Sequence, residues 1–500
     1  MSSSSSYAFS CSLKCSFLHI LYSSIYNLLL STATVNGFTV TENGFSPLIE
    51  LPVPTNGLYS NTSCTRWSRT VVLSIDDFGA KGDGISDDTK SFQDVWKVAC
   101  SSPSRAKIVI PADKFYLVRP TDFTGPCRSK VTLRVSGFVV APRDPEVWDG
   151  LNTHKWLYFH QVKHLKIEGG GIIDGAGQEW WSRSCKKNDS NVIVYALTKL
   201  CDCVLCFGNR DGSDTDPIFL WQPCTQAPTA VTFRRCKNLK LRNITLFNGQ
   251  QLHMAFSHCT RVAASHVTVM APAHSPNTDG IHISASTRVD LKDIIITTGG
   301  NCISVVSNSS RIRIKNVVCG RGNGISIGSL GKYNSSASVQ DVIVRGAALF
   351  DSGNGVRIKT WQGGSGFARN ITFENIWMQN VSNPIVIDQY YCDTPETCGN
   401  QTSAVSIDSI YFRNIKGTSA TAEPIRFACS DSYPCKRLYL ENIQLTTSSG
   451  IAAKSFCWKA YGTSTGLVYP PSCISSGEIV IRYRVKSNST GWRRDDYAVF

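Results

Sequence analysis

No stretch of this 500-residue chain runs for about 18 to 20 apolar residues without a break, so no membrane span is expected. Nor is there a long Lys/Arg block. The 51 Lys and Arg are scattered, which argues against nucleic acid as a partner. Cys201, Cys203 and Cys206 lie close together but lack a complete tetrahedral ligand set at zinc spacings. No metal and no cofactor are expected. Helical signals are scarce too. Asp87-Asp88-Thr89-Lys90 opens one short helix through Trp96, with acidic residues in its first turn.

What is present is an ordinary globular composition, 42% hydrophobic and 18% charged, long enough to bury a sizeable core. Lys and Arg exceed the 37 Asp and Glu, giving a net charge of +14. That balance favours a polyanion: nucleic acid, anionic lipid or an acidic polysaccharide. The 20 Cys include close pairs, Cys392 with Cys398, Cys429 with Cys435 and Cys457 with Cys473, which read as disulfides of an oxidising compartment. Sequons at Asn61, Asn243, Asn334, Asn370 and Asn400 agree with secretion. Residues 1–36 read as a signal or leader, with Lys14 before an interrupted apolar stretch and small residues near Ala33. Residues 37–73 are a polar lead-in, 187–222 an atypical insertion or translated intron, and 474–500 a tail.

Between 74 and 473 short β-branched runs recur, among them Leu239-Lys240-Leu241, Ile294-Ile295-Ile296, Ile312-Arg313-Ile314 and Ile371-Thr372-Phe373. Asn corners punctuate them at Asn243, Asn316, Asn375, Asn414 and Asn442. Short strands with such corners, at a step of about 20–25 residues, predict an all-β fold, a parallel β-helix, with the helix near Asp87 closing its N-terminal end. A sandwich or propeller fits the fixed step less well. Three polar motifs share that step: Asp279 in Asn-Thr-Asp-Gly, Asn301 in Gly-Gly-Asn-Cys and Asn323 in Gly-Asn-Gly, where 301 − 279 and 323 − 301 are both 22. On stacked rungs roughly 4.8 Å apart they would line one groove.

Ser275–Ile281, Cys319–Ser329, Gly355–Trp361, Gly170–Gly175 and Asn383–Gln389 resemble plant-type polygalacturonases of glycoside hydrolase family 28. The resemblance implies a right-handed β-helix that cleaves α-1,4 bonds of homogalacturonan with inversion. It assigns Asp279 to the Asn-Thr-Asp carboxylate, and Arg357 and Lys359 to the Arg-Ile-Lys pair that holds a uronate carboxylate. Where the family has Gly-Asp-Asp, this chain has Gly299-Gly300-Asn301, so Gly300 stands at the proton donor and Asn301 at its partner. Where the family has Gly-His-Gly, Asn323 replaces the His. Inversion needs one carboxyl to donate a proton and another to activate water, about 6.5–9.5 Å apart. Each acid or base contributes about 10²–10⁴-fold.

The expectation is therefore a secreted, monomeric cell-wall protein that retains binding of the acidic polysaccharide with hydrolysis lost or much reduced. The alternatives are an active polygalacturonase with an altered acid/base site, and a structural wall protein without glycan affinity. A calcium-dependent lyase is not expected, since no dense oxygen-ligand cluster lies near the groove. His274 and His282 read as surface or corner residues, and Asn301 and Asn323 as candidates for a ladder satisfying backbone groups.

Overall fold

The computed structural model describes residues 70–184, 226–393 and 398–476. The leader, most of the lead-in, the insertion at 187–222 with its Cys trio, and the tail beyond 476 lie outside the described residues. Strands run from Val71 to Tyr469 and form two sheets of parallel strands, one of seventeen and one of eleven among the described residues. Each coil passes from a short strand of the smaller sheet into a long strand of the larger one and back, which is a parallel β-helix.

The long strands show how the sequence makes its bends. In Thr287–Thr297, Val289 and Leu291 point inward, and so do Ile294 and Ile296. A strict period of two would send one pair outward. Asp293 between them takes a left-handed conformation at φ 54°, turns the chain and resets the alternation. Asn243, Asn316, Asn375, Asn414 and Asn442 do the same on other rungs, at φ 51° to 57°. Asn tolerates this region because its short amide bonds locally. The expected short strands are thus joined across the Asn corners into strands of 11 to 17 residues.

These Asn also bond one another between rungs: Asn414 Nδ2 to Asn375 Oδ1 at 3.0 Å, and Asn442 Nδ2 to Asn414 Oδ1 at 3.2 Å. Inside, buried aliphatic residues stack in register and Phe159, Phe233 and Phe256 stack face to face, with centroids 5.1 and 5.5 Å apart. Helix Thr89–Ser101 extends further than the sequence signals suggest and buries Phe92, Val95, Trp96 and Ala99. Trp96 meets Phe123 and Phe159 edge to face.

The three expected disulfides form, and among the described residues two more join them, Cys100–Cys127 and Cys302–Cys319. The last is fully buried and spans a single rung.

Candidate functional site

The rung step is regular only where the polar motifs lie. Ile281 pairs in register with Ile303, and Ile303 with Ile325; 303 − 281 and 325 − 303 are both 22. The rung before is longer, from Met254 to Ile281, and so is the rung after, from Ile325 to Val356. Asp279, Asn301 and Asn323 each stand two positions ahead of these Ile, so they occupy equivalent places on three adjacent rungs. Backbone bonds tie the approach loops together: Gly280 N–H donates to Asn301 O at 2.8 Å, and Asn323 N–H to Gly300 O at 2.9 Å.

Asp279 is held from below and from the side. Thr278, fully buried, shares its hydroxyl with Ser275 at 2.6 Å and with Thr298 at 2.7 Å. His253, also fully buried, donates from its backbone N–H (2.9 Å) and from Nδ1 (3.1 Å) to the Asp279 carbonyl. Burial pushes the His253 imidazole down to about 4, against weaker opposing pulls from the Asp279 carbonyl and charge.

The Asp279 carboxylate accepts four hydrogen bonds. Asn301 N–H gives one to Oδ1 at 2.8 Å, Asn301 Nδ2 reaches Oδ1 at 3.0 Å and Oδ2 at 2.9 Å, and Ser304 Oγ reaches Oδ2 at 3.0 Å. Beyond them, His282 Nδ1 lies 2.8 Å from Ser304 Oγ, and Ser326 Oγ donates to Asn301 Oδ1 at 2.8 Å. Because Ser304 gives its proton to Asp279, Nδ1 of His282 must be the donor to Ser304. Every bond in the chain then points toward Asp279, and none of these neighbours offers an acceptor for a carboxyl proton. His282 is thus no mere surface or corner residue. It belongs to this chain, and burial lowers its imidazole below the usual range, with Asp279 opposing and Lys359 assisting.

Gly300 is closely packed. A Cβ on it would lie 2.4 Å from Asp279 Oδ1 and 2.6 Å from Asp279 N. The amide of Asn301 bonds side chains rather than backbone groups. Asn323 is exposed and makes one long contact, Oδ1 accepting from Asn354 Nδ2 at 3.5 Å. A backbone-satisfying role for these two Asn is therefore not what the structure holds. His274 is exposed in the preceding loop.

Arg357 and Lys359 alternate outward on strand Asn354–Thr360. Ser326 pairs in register with Arg357, which places both cations on the rung after Asn323. Arg357 Nη2 bonds Asp388 Oδ2 at 3.1 Å. The guanidinium lies 5.0 Å from the centre of the Tyr391 ring and Lys359 Nζ 4.8 Å from it. Asp388, Tyr391, Ser304, Ser326 and His253 went unassigned in the sequence. The first signal that finds some of them is spacing: His282, Ser304 and Ser326 repeat the step of the polar motifs, each three positions after one of them.

One face of the parallel β-helix thus carries a half-buried carboxylate and, one rung past the last polar motif, two cations. The pattern of glycosyl hydrolases family 28 matches residues 100–199 and 211–463, and the chain belongs to that family. The unmatched residues 200–210 fall inside the stretch 187–222. A probable polygalacturonase of Arabidopsis thaliana is 47% identical over 464 residues, 93% of this chain and 96% of the relative. A polygalacturonase of Persea americana is 44% identical over 385 residues, 77% of this chain and 76% of the relative.

Among solved structures, the endo-xylogalacturonan hydrolase of Aspergillus tubingensis superposes with a TM-score of 0.62 at 21% identity, covering 79% of this chain and 99% of that one. The exopolygalacturonase of Thermotoga maritima gives 0.58 at 18% identity, covering 75% and 88%. At such identities these two speak to the fold alone.

Proposed function

We propose that this protein binds pectic homogalacturonan in the groove and hydrolyses it weakly or not at all. The observation that carries this is the surroundings of Asp279. Its carboxylate is met only by donors, and the position facing it is Gly300, which has no side chain. General acid–base cleavage with inversion needs a second carboxyl across the scissile bond. Asn301 fills that place with an amide that holds Asp279 and exchanges no proton.

Binding rests on other groups. Arg357 offers a planar fork suited to a uronate carboxylate, and Lys359 adds a point charge beside it. Losing two anions from the groove also lowers its repulsion toward a polyanion. The paired Cys and the sequons support secretion into a cell wall, and the protein acts there as a monomer.

The chain His282–Ser304–Asp279 favours a second reading, a working hydrolase with a relocated acid. In it His282 would feed protons to Asp279 through Ser304.

Reducing-end release from polygalacturonate, measured beside binding of oligogalacturonate over a salt series, tests both. Binding that weakens with salt, without release of ends, is expected. Rapid release by the unaltered chain would overturn the reading and favour the relocated acid. Absence of both would favour a structural wall protein.

A further inference from the structure

Three arginines occupy one left-handed corner on consecutive rungs. Arg261, Arg288 and Arg311 take left-handed φ values of 60°, 59° and 57°. They pair in register on three consecutive rungs, since Thr260, Thr287 and Ser310 beside them are paired partners. On other rungs the same left-handed corner holds His164, Asn238, Asp341, Asn370, Ser409 and Arg437, so it accepts several residue types. Arg437, the fourth arginine of this corner, pairs with Asp408, which sets the three consecutive ones apart.

All three side chains are exposed. None pairs with a carboxylate among the described residues. Asp290, two residues after Arg288, lies 3.9 Å from Arg313, and Asp341, at the same corner one rung after Arg311, accepts from Asn370 Nδ2 at 2.6 Å.

We infer that Arg261, Arg288 and Arg311 form a second polyuronate-binding surface outside the groove. Rungs lie roughly 4.8 Å apart, so the ridge presents one guanidinium per step. A polyuronate presents one carboxylate per sugar, and an Arg fork takes a carboxylate through two parallel bonds. Thr260, Thr287 and Ser310 run alongside as a row of half-buried hydroxyls, suited to sugar hydroxyls. The row carries no apolar side chain of the kind that seats a protein in a lipid surface.

The ridge is separate from the groove row. Between His282 and Arg288 the chain turns at Ala285, itself left-handed at φ 45°, and turns again at Arg288. A protein with one strand in the groove and another on the ridge bridges two polymer chains. The choice of ligand rests on the polyuronate reading of the groove.

Calorimetry of the full chain with a defined-length oligogalacturonate at low salt tests this. Two sites per protein are expected. The variant Arg261→Asn/Arg288→Asn/Arg311→Asn should bind at one site only and lose the ability to raise light scattering from polygalacturonate. Asn suits the corner, so the variant should keep its thermal midpoint or raise it. Arg357→Gln should lose the groove site and keep the ridge site.

A single site in the full chain that the triple variant retains would overturn the inference and leave the groove reading standing. A site lost in the triple variant but indifferent to Arg357→Gln, with no second site, would overturn the groove reading and leave the ridge. Ridge-dependent binding of anionic vesicles without any second oligogalacturonate site would also overturn it.

Discussion

Asn301 grips Asp279 with one amide nitrogen, placed 3.0 Å from one carboxylate oxygen and 2.9 Å from the other. With the Asn301 backbone N–H and Ser304 Oγ, this amide surrounds the Asp279 carboxylate with donors.

Replacing that amide by a carboxylate should show the dependence directly. Asn301→Asp sets two anions in contact and removes the bidentate donor. We expect a loss of about 1–3 kcal/mol at pH 7, read from the urea midpoint. The loss should shrink in acid, as one of the pair takes a proton. An equal loss at pH 7 and pH 4.5 would contradict it.

Gly300 predicts a steric effect. Gly300→Ala places a methyl group against Asp279 N and Oδ1. The carboxylate can swing aside, but the backbone nitrogen must shift with its rung. Overpacking of this kind costs about 1–3 kcal/mol. Gly300→Asp, Asn301→Asp and Asn323→His together should give measurable release of reducing ends, while Gly300→Asp alone should only destabilise. Repulsion from the new acid at 301 moves the Asp279 carboxylate aside but not its backbone nitrogen, so the triple variant too should be less stable than the unaltered chain.

His253 sets a pH dependence. Its folded value of about 4 lies below the unfolded value of 6.5. As pH falls below 6.5 the unfolded chain takes up a proton that the folded chain refuses, so stability drops until pH reaches about 4. The full effect is about 3 kcal/mol. Asp174 slopes the other way, since burial raises its carboxyl to about 6 and its stabilising neutral form is lost as pH rises from 3.8 through 6. Denaturant melts from pH 7 to 4 should therefore be steeper in Asp174→Asn than in the unaltered protein.

Asp388 competes with substrate for Arg357. Asp388→Asn should tighten oligogalacturonate binding about three- to tenfold at low salt, equivalent to about 1 kcal/mol. The gain should fade at high salt. Weaker binding at every salt would mean that Asp388 is needed to aim the guanidinium.

The architecture was largely legible because β-branched runs and Asn corners are local signals. Asp279, Asn301 and Asn323 could be aligned by counting, since the two steps between their rungs share one length. Where a rung lengthens, as between Ile325 and Val356, counting fails, and Asp388 beside Arg357 could not be anticipated. His282 was misread for a different reason. Its neighbour Ser304 stands one full rung further along the chain, and only the stacking of rungs makes it a hydrogen-bond partner. Packing around Gly300 was invisible as well, because a sequence shows a missing side chain and not what has moved into its place.

The bridge between Cys302 and Cys319 has a mechanical consequence. It acts as a chord across one coil, starting at the residue after Asn301 and ending at the far end of the long strand. The girth of the solenoid at that level is set covalently, whatever side chains stand at 300 and 301. Substitution there leaves the bridge in place, whereas a reductant would open it and leave those side chains unchanged.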